Sequence, residues 1–225
     1  MGRYWRNGMG LLGLLLAGCA LNTPPLYESR AEAFLKRQGV AEASIERLKG
    51  RQPLEPDEVR LFGQYKDTAT LFLLASNEGT PAEDVEKLAS SEDVEVRWGA
   101  AINPSLSVET MNRLRTPGKY STINGYLARN PALPLDVLRA MYKSGEATKV
   151  DIAMNPSCPP DLVDAILAEQ PEDVRQYLSV NRGLGPAAWT RLEKDPSPSV
   201  VRMLQHNRAY VRWKRDVAPL EAGRS

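Results

Sequence analysis

Apolar positions in this chain follow two periods. Within short stretches they fall three or four residues apart, as on one face of a helix. The stretches themselves recur about every 26 residues. The phrases LLASN, GAAIN, GYLARN, DIAMN, YLSVN and MLQHN end in Asn77, Asn103, Asn130, Asn155, Asn181 and Asn207, which are 26, 27, 25, 26 and 26 residues apart. Three residues before each Asn stand Leu74, Ala100, Leu127, Ile152, Leu178 and Leu204. Seven before stand Thr70, Val96, Ile123, Thr148, Val174 and Val200, and two before stand the small residues Ala75, Ala101, Ala128, Ala153 and Ser179. The spacing predicts a short helix before each Asn, with a small face that lets neighbouring backbones approach.

After the Asn a second apolar pair appears eight and eleven residues on: Val85 and Leu88, Met111 and Leu114, Leu138 and Met141, Val163 and Ile166, Trp189 and Leu192. This predicts a second helix. Thr80-Pro81-Ala82-Glu83 reads as a capping box with Pro at the first helical position, and Pro134, Pro160 and Pro186 stand similarly in later copies. The Asn itself suits a turn, because its side chain bonds local backbone and tolerates left-handed geometry. One such unit buries too little apolar surface to fold alone, so stacked copies are expected. The pattern predicts an all-α, right-handed α-solenoid of about five to six two-helix repeats over residues 68–207. Residues 31–67 carry weaker helical patterns (Glu28 to Gln38, Ala41 to Lys49, Pro56 to Tyr65) and are expected to form an N-terminal helical cap. The basic stretch Arg208 to Arg215 completes a last helix, with Val217 to Ser225 frayed.

The phrase resembles the leucine-rich repeat variant family, which reads V-R-x-x-x-A-x-N-P followed by a short Pro-started helix. It is matched by Val96-Arg97 with Ala101 and Asn103-Pro104, and by Val174-Arg175 with Asn181. The resemblance implies a right-handed superhelix of paired α and short α or 3₁₀ segments. The longer period here favours two α-helices per copy. The Cys cluster of that family's iron–sulfur member has no counterpart in this chain.

The N-terminus has a different character. Arg3 and Arg6 precede an apolar stretch from Met9 to Gly18, too short for the roughly 20 residues of a bilayer span. Leu16-Ala17-Gly18-Cys19 follows, and the run resembles the lipobox of bacterial lipoproteins. The resemblance implies a signal peptide over residues 1–18, a Cys19 that is lipidated (palmitate among its acyl chains) and becomes the mature N-terminus, and a tether over 19–30. Ala20, rather than Asp, after the Cys matches the pattern that sends lipoproteins to the outer membrane, facing the periplasm.

Composition narrows the function. Hydrophobic residues are 42% and charged residues 25%, as in soluble globular domains. Lys plus Arg is 29 and Asp plus Glu 28, a net +1 with no field to hold a nucleic acid. One His and two Cys exclude a Cys-rich zinc site, an iron–sulfur cluster and a disulfide framework. No cofactor or metal is expected. There is no G-x-S-x-G, no H-E-x-x-H and no complete P-loop. His206 reads as a solvent-facing scaffold residue and Cys158 as a loop or packed thiol. The Asn ladder serves what all copies share, so binding residues are sought among positions that vary: Arg97, Trp98, Tyr126, Lys149, Arg175 and Tyr177. The competing reading pairs Arg97 with Asp93 and Arg175 with Asp173 and buries the aromatics. The expected protein is a non-enzymatic, lipid-anchored binding protein for an envelope protein or wall polymer; the alternative is a wall hydrolase using a groove carboxylate.

Overall fold

A computed structural model describes residues 25–119, 121–169 and 171–218, and these hold fifteen helices and no strand. The signal peptide, Cys19, the first part of the expected tether and the tail from Pro219 lie outside the described residues. No helix among the described residues is long and apolar enough to cross a membrane. The chain divides between Arg115 and Thr116 into two units, where a single repeat domain was expected. The division falls at the exposed Thr116-Pro117-Gly118-Lys119 loop, where Gly118 takes φ +118°.

The first unit contains α1 (Pro25–Arg37), α2 (Glu42–Lys49), α3 (Pro56–Gln64), α4 (Thr68–Ser76), α5 (Ala82–Leu88), α6 (Val94–Ala101) and α7 (Val108–Leu114). Helix α1 begins inside the segment expected as tether. Tyr27 explains this: its ring is buried and stacks on Phe72 at 4.1 Å, so the helix is held from its first turn. Helices α1, α2 and α3 all pack on α4, which is buried along most of its length. Phe34 meets Tyr65 edge-on at 5.3 Å in the same layer.

The second unit contains α8 (Thr122–Ala128), α9 (Leu135–Ser144), α10 (Lys149–Ala153), α11 (Pro160–Glu169), α12 (Glu172–Ser179), α13 (Pro186–Leu192), α14 (Pro198–Leu204) and α15 (Arg208–Asp216). Here α8 packs on α10, α10 on α12 and α12 on α14, while α11 packs on α13 and α13 on α15. In this unit helices before an Asn therefore stack on helices before an Asn, and α11, α13 and α15 stack on one another in turn. In the first unit α4 and α6 make the same contact. Helix α15 starts directly after Asn207, which is its N-cap, and packs on α13. There Tyr210 and Trp213 close on Trp189 at 6.2 and 5.5 Å.

The columns nearest the Asn are buried as their spacing predicts, whereas Ile123, Thr148, Leu88 and Leu114 in the outer columns are half-buried. All six at the third position before the Asn are buried, as are the small residues one place later. The six asparagines are buried too. Each accepts a hydrogen bond at Oδ1 from the backbone N–H two residues on, at 2.7–3.0 Å in Gly79, Ser105, Ala132, Ser157, Gly183 and Ala209. Their backbone is not left-handed: Asn77 and Asn207 are extended (φ −77° and −74°), and Arg51 is the only non-glycine residue with positive φ among those described. The turn is made by the side chain, and where Pro follows, the extended form is enforced.

The ladder also does something that sequence reasoning missed. Nδ2 of Asn155 donates to the carbonyls of Ala128 and Asn130 in the preceding copy, at 2.7 and 3.0 Å. Asn181 does the same to Ala153 and Asn155, Asn207 to Ser179 and Asn181, and Asn103 to Ala75 and Asn77. Asn77 reaches the carbonyl of Gln52, in the loop before α3. The Asn thus turns its own copy and fastens it to the one before.

The expected capping box at Thr80 is not formed. Pro81 is the N-cap of α5 with no side-chain bond, and the Thr80 hydroxyl donates back to the carbonyl of Leu74 at 2.6 Å. The Leu74 carbonyl at the end of α4 takes the hydroxyl beside the Asn77 N–H, which reaches it at 3.2 Å. Pro134 is likewise an N-cap residue, whereas Pro160 and Pro186 open their helices.

Glu58, buried in α3, is held by Arg47 and by the Glu55 backbone N–H at 3.0 Å. Chiefly through the Arg47 hydrogen bonds its carboxyl falls from 4.5 to about 2. A lowered folded-state value means the stabilisation is complete above about pH 4.5 and is lost as pH falls towards 2. Thermal melts should show the wild type losing stability over that window more steeply than Glu58→Gln; parallel curves would contradict the pairing.

Candidate functional site

The predicted basic row is largely occupied by the chain itself. Arg97 Nη1 donates to the carbonyls of Ser91 and Glu92 at 2.6 and 3.0 Å, closing the loop before α6. Lys149 Nζ lies 3.4 Å from the Tyr142 ring centroid, beside the Tyr142 carbonyl, and burial lowers its pKa. Arg175 pairs with Asp195, not Asp173, through Nε and Nη2 at 2.8 and 3.2 Å. Burial pushes Asp195 upward, and the Arg175 hydrogen bond, the Ser197 N–H and the Arg175 charge together more than offset it, so the carboxyl ends below its usual range. The sequence pairing failed because it looked along one helix, whereas the acid sits in the next copy's loop. These cations tie loops to helices, as Asn124 does in the same column by bonding both the N–H and the carbonyl of Thr116. Trp98 and Tyr177 are half-buried. His206 is exposed, with Nδ1 2.8 Å from the Arg202 carbonyl.

Among the described residues, an apolar and a polar cavity stand out in the second unit. One, of about 490 Å³, is an apolar groove lined by Cys158, Pro159, Val163, Leu184 and Ala188 among others. Three residues after the Asn stand Thr80, Leu106, Leu133, Cys158, Leu184 and Tyr210, and Cys158 is smaller than the leucines on either side of it in the column. Burial pushes its thiol up to about 12, with Asp161 adding to the shift, so it stays protonated and unreactive. Cys158→Leu should fill the groove and stabilise the protein by about 1 kcal/mol. Differential scanning calorimetry checks this, and a lower Tm would show that the site has no room.

The other cavity, of about 280 Å³, is polar and is lined by Ser121, Thr122, Gly125, Tyr126, Arg129, Thr148 and Asp151. It contains Tyr126, one of the six predicted binding residues. Asp151 is buried; Oδ1 accepts from Arg129 Nε at 2.7 Å, and Oδ2 from the Thr148 hydroxyl at 2.6 Å and its N–H at 3.2 Å. Thr148 in turn caps α10 through the Asp151 N–H. The Arg129 guanidinium carbon lies 5.9 Å from the Tyr126 ring centroid. The signal for this cavity was present in the columns. Five residues before the Asn stand Phe72, Trp98, Gly125, Val150, Gln176 and Arg202, and only Gly125 lacks a side chain. A Cβ there would sit 2.8 Å from Asp151 Oδ2. The missing bulk opens the pocket and admits the carboxylate.

No match was found for this chain among protein-family profiles, curated proteins or solved structures.

The shifted carboxyls among the described residues share one direction. Wherever a carboxyl pKa departs from its ordinary value it is lowered, at Glu32, Glu58, Glu86, Asp93, Asp161, Glu193, Asp195 and Asp216. A general acid needs the opposite shift.

Proposed function

We propose that this chain is a lipid-anchored cell-envelope protein whose helical repeats form a right-handed solenoid and present a binding surface to an envelope protein or wall polymer. The observation that carries the anchor is the run Leu16-Ala17-Gly18-Cys19 behind a basic start and a short apolar stretch. Several acyl chains on Cys19, at about 0.8 kcal/mol per buried methylene, hold a protein to a bilayer permanently. Ala20 supports the periplasmic face of the outer membrane. The solenoid reading, with about five to six copies and a likeness to leucine-rich repeat variant proteins, is supported by the alternate packing of like helices within each unit and by the repeated Asn bond from one copy to its predecessor. Stacked repeats offer broad modular faces suited to large partners. Binding rather than hydrolysis is supported by the lowered carboxyls and by Asp151, whose oxygens are already taken up by Arg129 and Thr148.

Cys19→Ser should leave the precursor uncleaved and abolish incorporation of radiolabelled palmitate in cells. Labelling that persists in the variant would remove the anchor from the account.

A further inference from the structure

We infer that the outer face of α15 is a membrane-docking surface that holds the anionic headgroups of a phospholipid bilayer through Arg208 and Arg212. The inference extends the envelope reading to a second membrane contact and makes no use of Cys19.

The balanced charge of the whole chain hides an uneven distribution. Along α14 and α15 stand Arg202, Arg208, Arg212, Lys214 and Arg215, against the single acid Asp216. The nearest acids before these helices are already taken. Glu193 accepts from Lys214 at 2.6 Å and from the Tyr210 hydroxyl at 2.7 Å, and Asp195 is held by Arg175. Asp216 itself accepts from Arg215 Nε and Nη2 at 2.6 and 2.9 Å, while Arg212 acts on it only through its charge. Arg202, Arg208 and Arg212 are exposed and make no ion pair among the described residues. This end of the chain therefore carries uncompensated positive charge.

Helix geometry gathers that charge on one side. Arg208, Val211, Arg212 and Arg215 are three or four residues apart and share a face. The opposite face carries Tyr210, which is buried, and Trp213, which is half-buried, and both rings close on Trp189. The aromatic packing thus decides which way α15 points, and the arginines point away from the core.

The make-up of the face selects its partner. A guanidinium fork binds phosphate oxygens in pairs, so phosphates suit this surface better than a point contact to a lone carboxylate. Val211 is 44% exposed among the arginines. A nucleic acid or a soluble polyanion would meet the charge and leave this valine in water. A bilayer offers phosphates at its surface and an apolar boundary just beneath, and arginine stems can lie along that boundary with their heads at the phosphates. Clustered cations on a helix are attracted to anionic leaflets in the same way.

The test is flotation of residues 20–225, which keep every described helix and lack Cys19, with vesicles of phosphatidylcholine alone and of phosphatidylcholine with phosphatidylglycerol in equal parts. The chain should float with the mixed vesicles only, and raised salt should release it. Arg208→Ala and Arg212→Ala should each weaken binding about fivefold. Val211→Ser should weaken it too. Thermal melts should not move, because all three positions are exposed. Arg60→Ala, at an exposed arginine of the first unit, should bind like the wild type. Absence of binding to mixed vesicles, equal binding to neutral ones, binding untouched when Arg208 and Arg212 are both replaced, or displacement by polyaspartate or duplex DNA at equal charge would each overturn the inference. Palmitate labelling of the full chain is read separately: a labelled protein whose soluble form ignores vesicles loses only the α15 contact, and an unlabelled protein that binds them loses only the anchor.

Discussion

Asn155→Ala should lower stability by about 3 kcal/mol, because truncation strands groups that water cannot reach. The side chain is fully buried and makes three bonds: two from Nδ2 to the Ala128 and Asn130 carbonyls, and one to Oδ1 from the Ser157 N–H. In a chain of this size that loss lowers Tm by roughly 10 °C, which calorimetry reads directly. Asn155→Asp separates the two roles of the residue. It keeps the acceptor that makes the turn but sets an anionic oxygen against two carbonyl oxygens. If the bond to the preceding copy matters more than the turn, Asp is the worse variant. If the turn alone mattered, Asp would be nearly neutral and Ala would carry the whole cost.

Gly99→Ala should destabilise the first unit by about 2 kcal/mol, against the direction of helix propensity. Alanine in a helix interior is favoured over glycine by about 1 kcal/mol. Gly99, however, is buried where α6 crosses α4, and a Cβ there would lie 2.5 Å from the Phe72 carbonyl oxygen and 3.2 Å from the Ala75 Cβ. The obstacle is backbone inside a packed helix, so relief requires the two helices to separate, at a cost of about 3 kcal/mol. Gly63→Ala in α3 is the control. Its nearest neighbour would be Leu74 Cδ2 at 3.9 Å, an ordinary contact, and the substitution should stabilise. Chemical denaturation of both variants decides the matter, and a stabilised Gly99→Ala would mean that α4 and α6 do not approach this closely.

These two residues also show how far the sequence could be read. The columns around each Asn announced the helix pairs and the buried faces, because a residue needed in every copy leaves a mark at every repeat. What they could not announce was the partner of each polar group, which lies a copy away or across the copy's own turn. Arg175 took Asp195 instead of the adjacent Asp173, and Thr80 turned back to Leu74 instead of capping α5. The tether boundary was misplaced because Tyr27 looks unpatterned until Phe72 is seen beneath it. The candidate site was half legible. Tyr126 stood out as a varying aromatic, but Arg129 and Asp151 belong to different columns of different copies, and the cavity that joins them is made by an absence, at Gly125.

Amide exchange of the asparagine side chains tests the stacked-copy account at its root. The NH₂ groups of Asn103, Asn155, Asn181 and Asn207 are buried against the carbonyls of the preceding copy, whereas Asn112 is exposed. In deuterated buffer the four should stay visible by NMR long after Asn112 has vanished, exchanging only as fast as their unit opens. If all four disappeared together with Asn112, no copy would be fastened to its neighbour in the way described.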